Sequence, residues 1–420
     1  MSEYFALVDC NNFYVSCEQV FNPSLRGKAV VVLSNNDGCV ISRSQEAKAA
    51  GIKMGQPFFE IEKMVEEGRV IALSANFTLY GDMSRRVMET LSFFSPFVEI
   101  YSIDEAFLLL DNNDVDDLLK YGEGIKEYVY RWTGIPVAVG IAPTKTLAKV
   151  ATYIAKHDSP KSVVFIRRGE DLNPYLEKVP VEEIWGIGRS YSEFLQLKGV
   201  KTAADFVKLP EQWVKRYMKI NGVRTWRELQ GKKVFSLSER SIRKSFITSR
   251  TFGEPVEDFE SLKSSIITFM KMSVERLREE GYLASEVTIF ISSSLHVKDI
   301  YRSAIVENLQ SPTDYLPDLI APVEDMLKRI YRKGVKYRKA GVVLSGLIRK
   351  ENYQYELFTP AEVVRRKENL MAAIEEISGK FGRDSIKLGG ESLSSRWKSV
   401  QKHLSRRYTT SWDGIPVVRG

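Results

Sequence analysis

Cysteine is scarce in this chain of 420 residues: Cys10, Cys17 and Cys39 are all there is. An odd number with no CxxC spacing supports neither a disulfide framework nor a zinc site. A reducing, cytoplasmic setting is therefore expected. No run of about 18 apolar residues occurs, so neither a membrane span nor a membrane partner is expected. The opening MSEYFALVDC has no basic segment leading into an apolar stretch and a cleavage site. That excludes a secretory leader from the reading. Internal repeats and low-complexity tracts are missing too, which excludes a repeat array.

What is present is ordinary globular composition, 44% hydrophobic and 27% charged. The length suits two to four domains. Lysine and arginine number 61 against 54 acidic residues, a net charge of +7. The excess is unevenly placed. In KRIYRKGVKYRK (Lys328–Lys339) seven of twelve residues are basic and none is acidic, with Tyr331 and Tyr337 interleaved. Lys336, Arg338 and Lys339 belong to this run. A second basic group comprises Arg396, Lys398, Lys402, Arg406 and Arg407. Clustered cations with aromatics suit a phosphate backbone, and a solvated helix face is the equal reading of either run alone.

Patterning predicts an α+β order. Tyr4–Cys10 reads as a strand, followed by a helix that ends before Pro23. Lys28–Ser34 is β-branched and strand-like, and an Ala-rich helix ends at Gly51. A helix is expected over Asn76–Phe94, strands over Val98–Leu110 and a helix near Val115–Trp132. Ile135–Ala142 reads as a buried strand and Thr144–His157 as a helix. This order is compatible with a ferredoxin-like sheet that carries an insertion at Ala29–Thr78. After Pro174 the segments shorten to small helices. Gly186-Ile187-Gly188 lies between two of them, a turn that exposes N–H groups to a phosphate, although a lone GxG is weak evidence. From about Arg240 a second α+β unit is expected. It comprises helix Leu262–Glu280, strand Glu286–Ser294, helix Val323–Arg332 and strand Ala340–Ile348.

The stretch VEIYSIDEAFLLLD (Val98–Asp111) holds Asp104 and Glu105 side by side next to an apolar run. Unpaired carboxylates are costly there. At roughly 4 Å two of them repel by about 4 kcal/mol at an effective dielectric near 20. Asp9 ends a strand of the same expected sheet. Three convergent carboxylates point to hard divalent cations bound through oxygen. A turn aspartate beside a solvated glutamate is the plainer reading of DE in isolation.

Four ordered segments weigh against that plainer reading: LVDCNNFYVSCEQVFNP, GKAVVVLSNNDGCVISRSQEAKAAGIKMGQP, SANFTLYGDMS and YSIDEAF. Together they resemble the Y-family of translesion DNA polymerases, and its UmuC-like branch most. The resemblance implies an α+β multidomain fold. Its palm would be 1–24 with 80–168, its fingers 25–79, its helical thumb 169–238 and its little finger 239–350. A C-terminal extension, 351–420, would carry a clamp-binding peptide. It also implies two magnesium ions, with manganese as a substitute, held by Asp9, Asp104, Glu105 and the carbonyl of Cys10. Tyr14 would be the steric gate against ribonucleotides. Asn11, Asn12, Phe13, Ile41, Ser42, Lys48 and Lys156 would line the nucleotide site. Arginine is common elsewhere in the family at the Lys48 position, and lysine offers a point charge rather than a fork.

By the same resemblance Gly186 and Gly188 would form a hairpin turn on the DNA backbone, and Lys336, Arg338 and Lys339 would track DNA without reading its sequence. Gln354, Leu357 and Phe358 match a sliding-clamp peptide. The implied partners are primer–template DNA, deoxynucleotides and the clamp, and the UmuC-like branch suggests a UmuD-like dimer and a RecA filament as well. The competing readings are a catalytically idle DNA- and clamp-binding scaffold and a different two-metal phosphotransferase on the same palm.

Overall fold

The run EYFALVDC is apolar at most positions, which suits a strand covered on both faces. In the computed structural model it forms β1 (Glu3–Cys10), where Phe5, Ala6, Leu7 and Val8 are fully buried. The structure describes residues 3–111, 117–237, 243–294, 297, 299–354, 360–382, 385–387, 389 and 400–415. The chain divides into two units: Met1–Arg240 with Lys402–Gly420, and Ser241–Gln401.

In the first unit α1 (Phe13–Phe21) follows β1. An inserted lobe then holds β2 (Val30–Leu33), β3 (Val40–Arg43), α2 (Gln45–Ala49), α3 (Glu62–Glu66) and β4 (Ile71–Ser74). Its three strands make a separate sheet in the order β3-β2-β4. The main sheet continues through α4 (Phe77–Leu91), β5 (Val98–Ile100), β6 (Glu105–Asp111), α5 (Leu118–Thr133), β7 (Val137–Ala142), α6 (Lys145–His157) and β8 (Val163–Phe165). Its order is β5-β6-β1-β7-β8, with β1 at the centre and antiparallel to both neighbours.

Helix α6 lies close against this sheet. A Cβ on Gly140 would sit 2.2 Å from the Thr152 backbone nitrogen and 2.5 Å from the Ala148 carbonyl oxygen. Only glycine permits that approach. The start of α6 is fixed by Glu228, which is fully buried. One carboxylate oxygen accepts from the Thr146 N–H (2.9 Å) and hydroxyl (3.1 Å), and the other from the N–H groups of Val234 and Phe235. Four donors offset the cost of burying that charge. Glu228 lies near the end of a helical stretch made of α7 (Asn173–Leu176), α8 (Arg189–Leu197), α9 (Ala203–Val207) and α10 (Glu211–Leu229).

The second unit contains β9 (Phe246–Val256), α11 (Phe259–Glu279), β10 (Tyr282–Ser293), β11 (Arg302–Thr313), α12 (Leu316–Ile330) and β12 (Tyr337–Arg349). The strands form an antiparallel sheet in the order β11-β10-β12-β9. Helices α11 and α12 share its core, which α13 (Ala361–Phe381) extends with Met371 and Ile374. Strands β9 and β11 were not expected. Helix α12 begins at Leu316 rather than Val323, because Pro322 sits inside the helix instead of ahead of it. The α+β multidomain class is as expected. Residues 351–420, expected as one extension, are shared out: α13 lies in the second unit and 402–415 in the first.

Candidate active site

Strands β1 and β6 pair in a register that sets Asp9 opposite Glu105. Directly opposed residues of an antiparallel pair share a face of the sheet. Asp104 lies one residue before β6, in a bend, where its carbonyl accepts the Cys10 N–H at 2.8 Å. The sequence reading put both acids in a strand, which would send consecutive side chains to opposite faces. The bend frees Asp104 from that alternation. Its carboxylate accepts the Ser102 hydroxyl at 2.5 Å.

Helix α6 supplies the counter-charge. Lys156 Nζ is 2.6 Å from Asp9 Oδ1, and Lys149 Nζ is 2.6 Å from Glu105 Oε2. The two lysines are seven residues apart, about two turns, and so project from one side of the helix. Burial pushes the Asp9 carboxyl above its ordinary range. Lys156 opposes that push, while Glu105 and Asp104 add to it. Among the described residues no three acid, thiol or imidazole groups close into a ready cation cage. The donor chemistry still fits a hard cation, since it consists of carboxylate oxygens whose mutual repulsion a cation would relieve. Cys10 is buried beside them, and burial pushes its thiol well up, so it is not a thiolate ligand.

Tyr14 and Phe13 open α1. Phe13 is buried, and Tyr14 is partly exposed with its ring stacked on Tyr80 at 4.5 Å and edge-on to Phe77 at 5.9 Å. Burial raises the Tyr14 phenol, and Asp104 raises it further. Ahead of them Asn12 takes the left-handed conformation (φ 48°), and the Asn11 N–H donates to the Pro136 carbonyl at 2.8 Å. From the inserted lobe, Ser42 donates to the Asn12 carbonyl at 3.3 Å, and Ile41 packs on the same core. Lys48, on α2, is held below its ordinary value by burial and then by the positive charges of Arg43 and Lys156. Arg43 and Lys156 are thus near enough to Lys48 for their charges to act on it, and Lys156 is the one of the three paired with Asp9. The sequence reading missed Arg43, which donates to the Ile52 carbonyl. It also missed the pairing of Lys149 and the ring of Tyr80. Their signals were a cation at each end of a two-turn helical spacing and an aromatic one turn into α4.

Comparison with known proteins decides the family. Residues 8–153 match the impB/mucB/samB family and residues 243–357 match that family's C-terminal domain. Protein ImpB of Salmonella typhimurium is 38% identical over 99% of both chains. Protein UmuC of the same species, strain LT2, is 36% identical over 99% of this chain and 100% of its own. The chain belongs to the impB/mucB/samB family. Within this impB/mucB/samB chain, residues 368–418 match a domain of unknown function. Its fold resembles that of a Y-family DNA polymerase chimera, Dbh-Dpo4(243-245)-Dbh. The TM-score is 0.65 at 24% identity, over 82% of this chain and 99% of the other.

The remaining expected residues of the impB/mucB/samB chain are dispersed. Gly186 takes φ +91° and Gly188 precedes α8, so the turn sits at a helix N-terminus. In the second unit Lys336 faces Glu257 at 3.6 Å, Arg338 donates to the Gly253 carbonyl at 2.8 Å, and Lys339 lies over the Phe290 ring. Gln354 ends a described segment, and Leu357 and Phe358 lie outside the described residues.

Proposed function

We propose that this chain is a template-directed translesion DNA polymerase that adds deoxynucleotides to a primer 3′ end in the response to DNA damage. Its enzyme class is that of a DNA-directed DNA polymerase of the Y family. The observation that carries the reading is the group of Asp9, Asp104 and Glu105 at the centre of the main sheet, faced by Lys149 and Lys156.

Asp9, Asp104 and Glu105 would hold two divalent cations, magnesium by the chemistry of the donors. When bound, these supply activation of the primer hydroxyl and charge stabilisation at the leaving pyrophosphate. Lys156 and Lys149 pair with two of the carboxylates until substrate arrives. Lys156 is then free to turn toward a triphosphate, with Lys48 and Arg43 on its other side. Tyr14, stacked on Tyr80, presents its ring beneath the incoming sugar. The Gly186–Gly188 turn and the basic strand of the second unit contact the DNA backbone, and the peptide at Gln354, Leu357 and Phe358 docks a sliding clamp. A UmuD-like dimer and a RecA filament are proposed as further partners on the likeness to UmuC.

The test is primer extension with magnesium. Asp104→Ala or Glu105→Ala abolishes nucleotide addition while primer–template binding persists. Extension within about tenfold of wild type, near 1.4 kcal/mol in barrier, would overturn the assigned roles. An idle scaffold would show no extension in the wild type.

A further inference from the structure

Residues 402–408 lie within the segment of unknown function and return to the first unit. They bind across the edge of the inserted lobe. The Lys402 N–H donates to Asp37 Oδ2 at 2.8 Å. The His403 N–H donates to the Ser74 hydroxyl, and the Ser74 N–H donates back to the His403 carbonyl, both at 2.9 Å. Leu404 forms a bridge with Ser74 on the open side of β4. The Asn76 side chain donates to the Ser405 hydroxyl at 3.0 Å and to the Arg406 carbonyl at 3.3 Å. Tyr408 stacks on Phe21 of α1 at 5.0 Å, 8° from parallel.

Ser405 connects this segment to the interior. Its hydroxyl donates to Glu18 Oε1 at 3.0 Å. Tyr80 donates to the same oxygen at 2.8 Å. Glu18 is 1% exposed, and Tyr80, fully buried, stacks against Tyr14. A single buried carboxylate oxygen thus ties the C-terminal segment to the aromatic ring under Tyr14. Asn76, which also caps α4 by accepting the Leu79 N–H, ties it to the helix that carries Tyr80.

We propose that residues 402–408 are an intramolecular strap that positions Tyr14 for sugar selection, acting through Ser405, Glu18 and Tyr80. The strap rests on the reading of Tyr14 as the sugar gate. Ser405 and Tyr80 touch no substrate, so they are positioning residues. Their removal loosens the support of the Tyr14 ring without altering Asp9, Asp104 or Glu105. A strap that served stability alone would instead lower incorporation of both sugars in parallel.

The measurement is the ratio of ribonucleotide to deoxynucleotide incorporation efficiency in the full-length chain. Ser405→Ala and Tyr80→Phe should each raise it about three- to tenfold, the range set by one hydrogen bond. Deoxynucleotide kcat should stay within about twofold of wild type. Ser405→Thr keeps the hydroxyl and should keep the wild-type ratio. Tyr14→Ala is the control and should raise the ratio about ten- to a hundredfold. If that control moves the ratio and neither Ser405→Ala nor Tyr80→Phe does, the strap proposal is overturned and the gate stands. A parallel fall for both sugars also overturns it. If Tyr14→Ala itself leaves the ratio unmoved, the gate falls and the strap's role in sugar selection falls with it.

Discussion

Asp9 carries a proton more readily in the folded chain than in the unfolded one, because burial outweighs Lys156. The folded state then binds more protons over the window that begins at the ordinary value of 3.8 and extends upward. Stability from this residue is therefore lost as pH rises through that window. With cations chelated at about pH 7, Asp9→Asn should melt at or above the wild-type temperature, although on the proposed function it should abolish synthesis. Adding magnesium should raise the wild-type melting temperature and leave Asp9→Asn nearly unmoved, since a ligand stabilises only the state that binds it. Thermal unfolding of both proteins, with and without the ion, measures this. A wild type more stable than Asp9→Asn in chelator would contradict it. The carboxylates stood out in the sequence as acids beside apolar strands, and the family resemblance gave them their expected role. Their counter-ions did not stand out. Lys149 and Lys156 are spaced like any solvated helix face, and only the packing of α6 on the sheet turns them toward Glu105 and Asp9.

That packing is a property of an element rather than of a residue. Gly140 lets α6 approach β7, and the Thr152 hydroxyl, which bonds the Ala148 carbonyl within α6 at 2.8 Å, also reaches the Leu7 carbonyl of β1 at 3.3 Å across the contact. Gly140→Ala would drive a methyl group into backbone atoms that cannot swing aside. The expected cost is about 1–3 kcal/mol of stability, read as a lower unfolding midpoint. Synthesis should fall with it, because both lysines ride on the displaced helix. An unchanged midpoint would mean that α6 is not held at that distance. Strand β11 shows where element reading failed. RSAIVENLQSPT alternates between exposed and part-buried positions from Arg302 to Ser311, but the side chains do not alternate by polarity. An edge strand needs only its partner's backbone, so its composition gave no period to detect. In β1 and β7 both faces are covered, and their apolar runs announced them.

At the scale of the whole molecule the chain is continuous from the first unit to the second and back, with the crossings at 240 and 401. The proposed clamp peptide lies in the sequence between β12 and α13. Leu357→Ala with Phe358→Ala should remove clamp-stimulated synthesis and spare basal synthesis, as two apolar anchors of a small pocket would. Unchanged clamp binding by calorimetry would refute the motif. The division of 351–420 between the units was not legible, because Ser405 and Glu18 are 387 positions apart and no local pattern links them. That separation has a consequence in time. At about 5–20 residues per second of synthesis, roughly 20–80 s pass between the emergence of Glu18 and that of Ser405. For the part of that interval after β4 has emerged, the nascent first unit holds it with an unpaired edge, a surface that invites wrong pairing. A ribosome that stalls before residue 402 leaves that edge open for good, so interrupted chains should aggregate or be degraded in preference to finished ones.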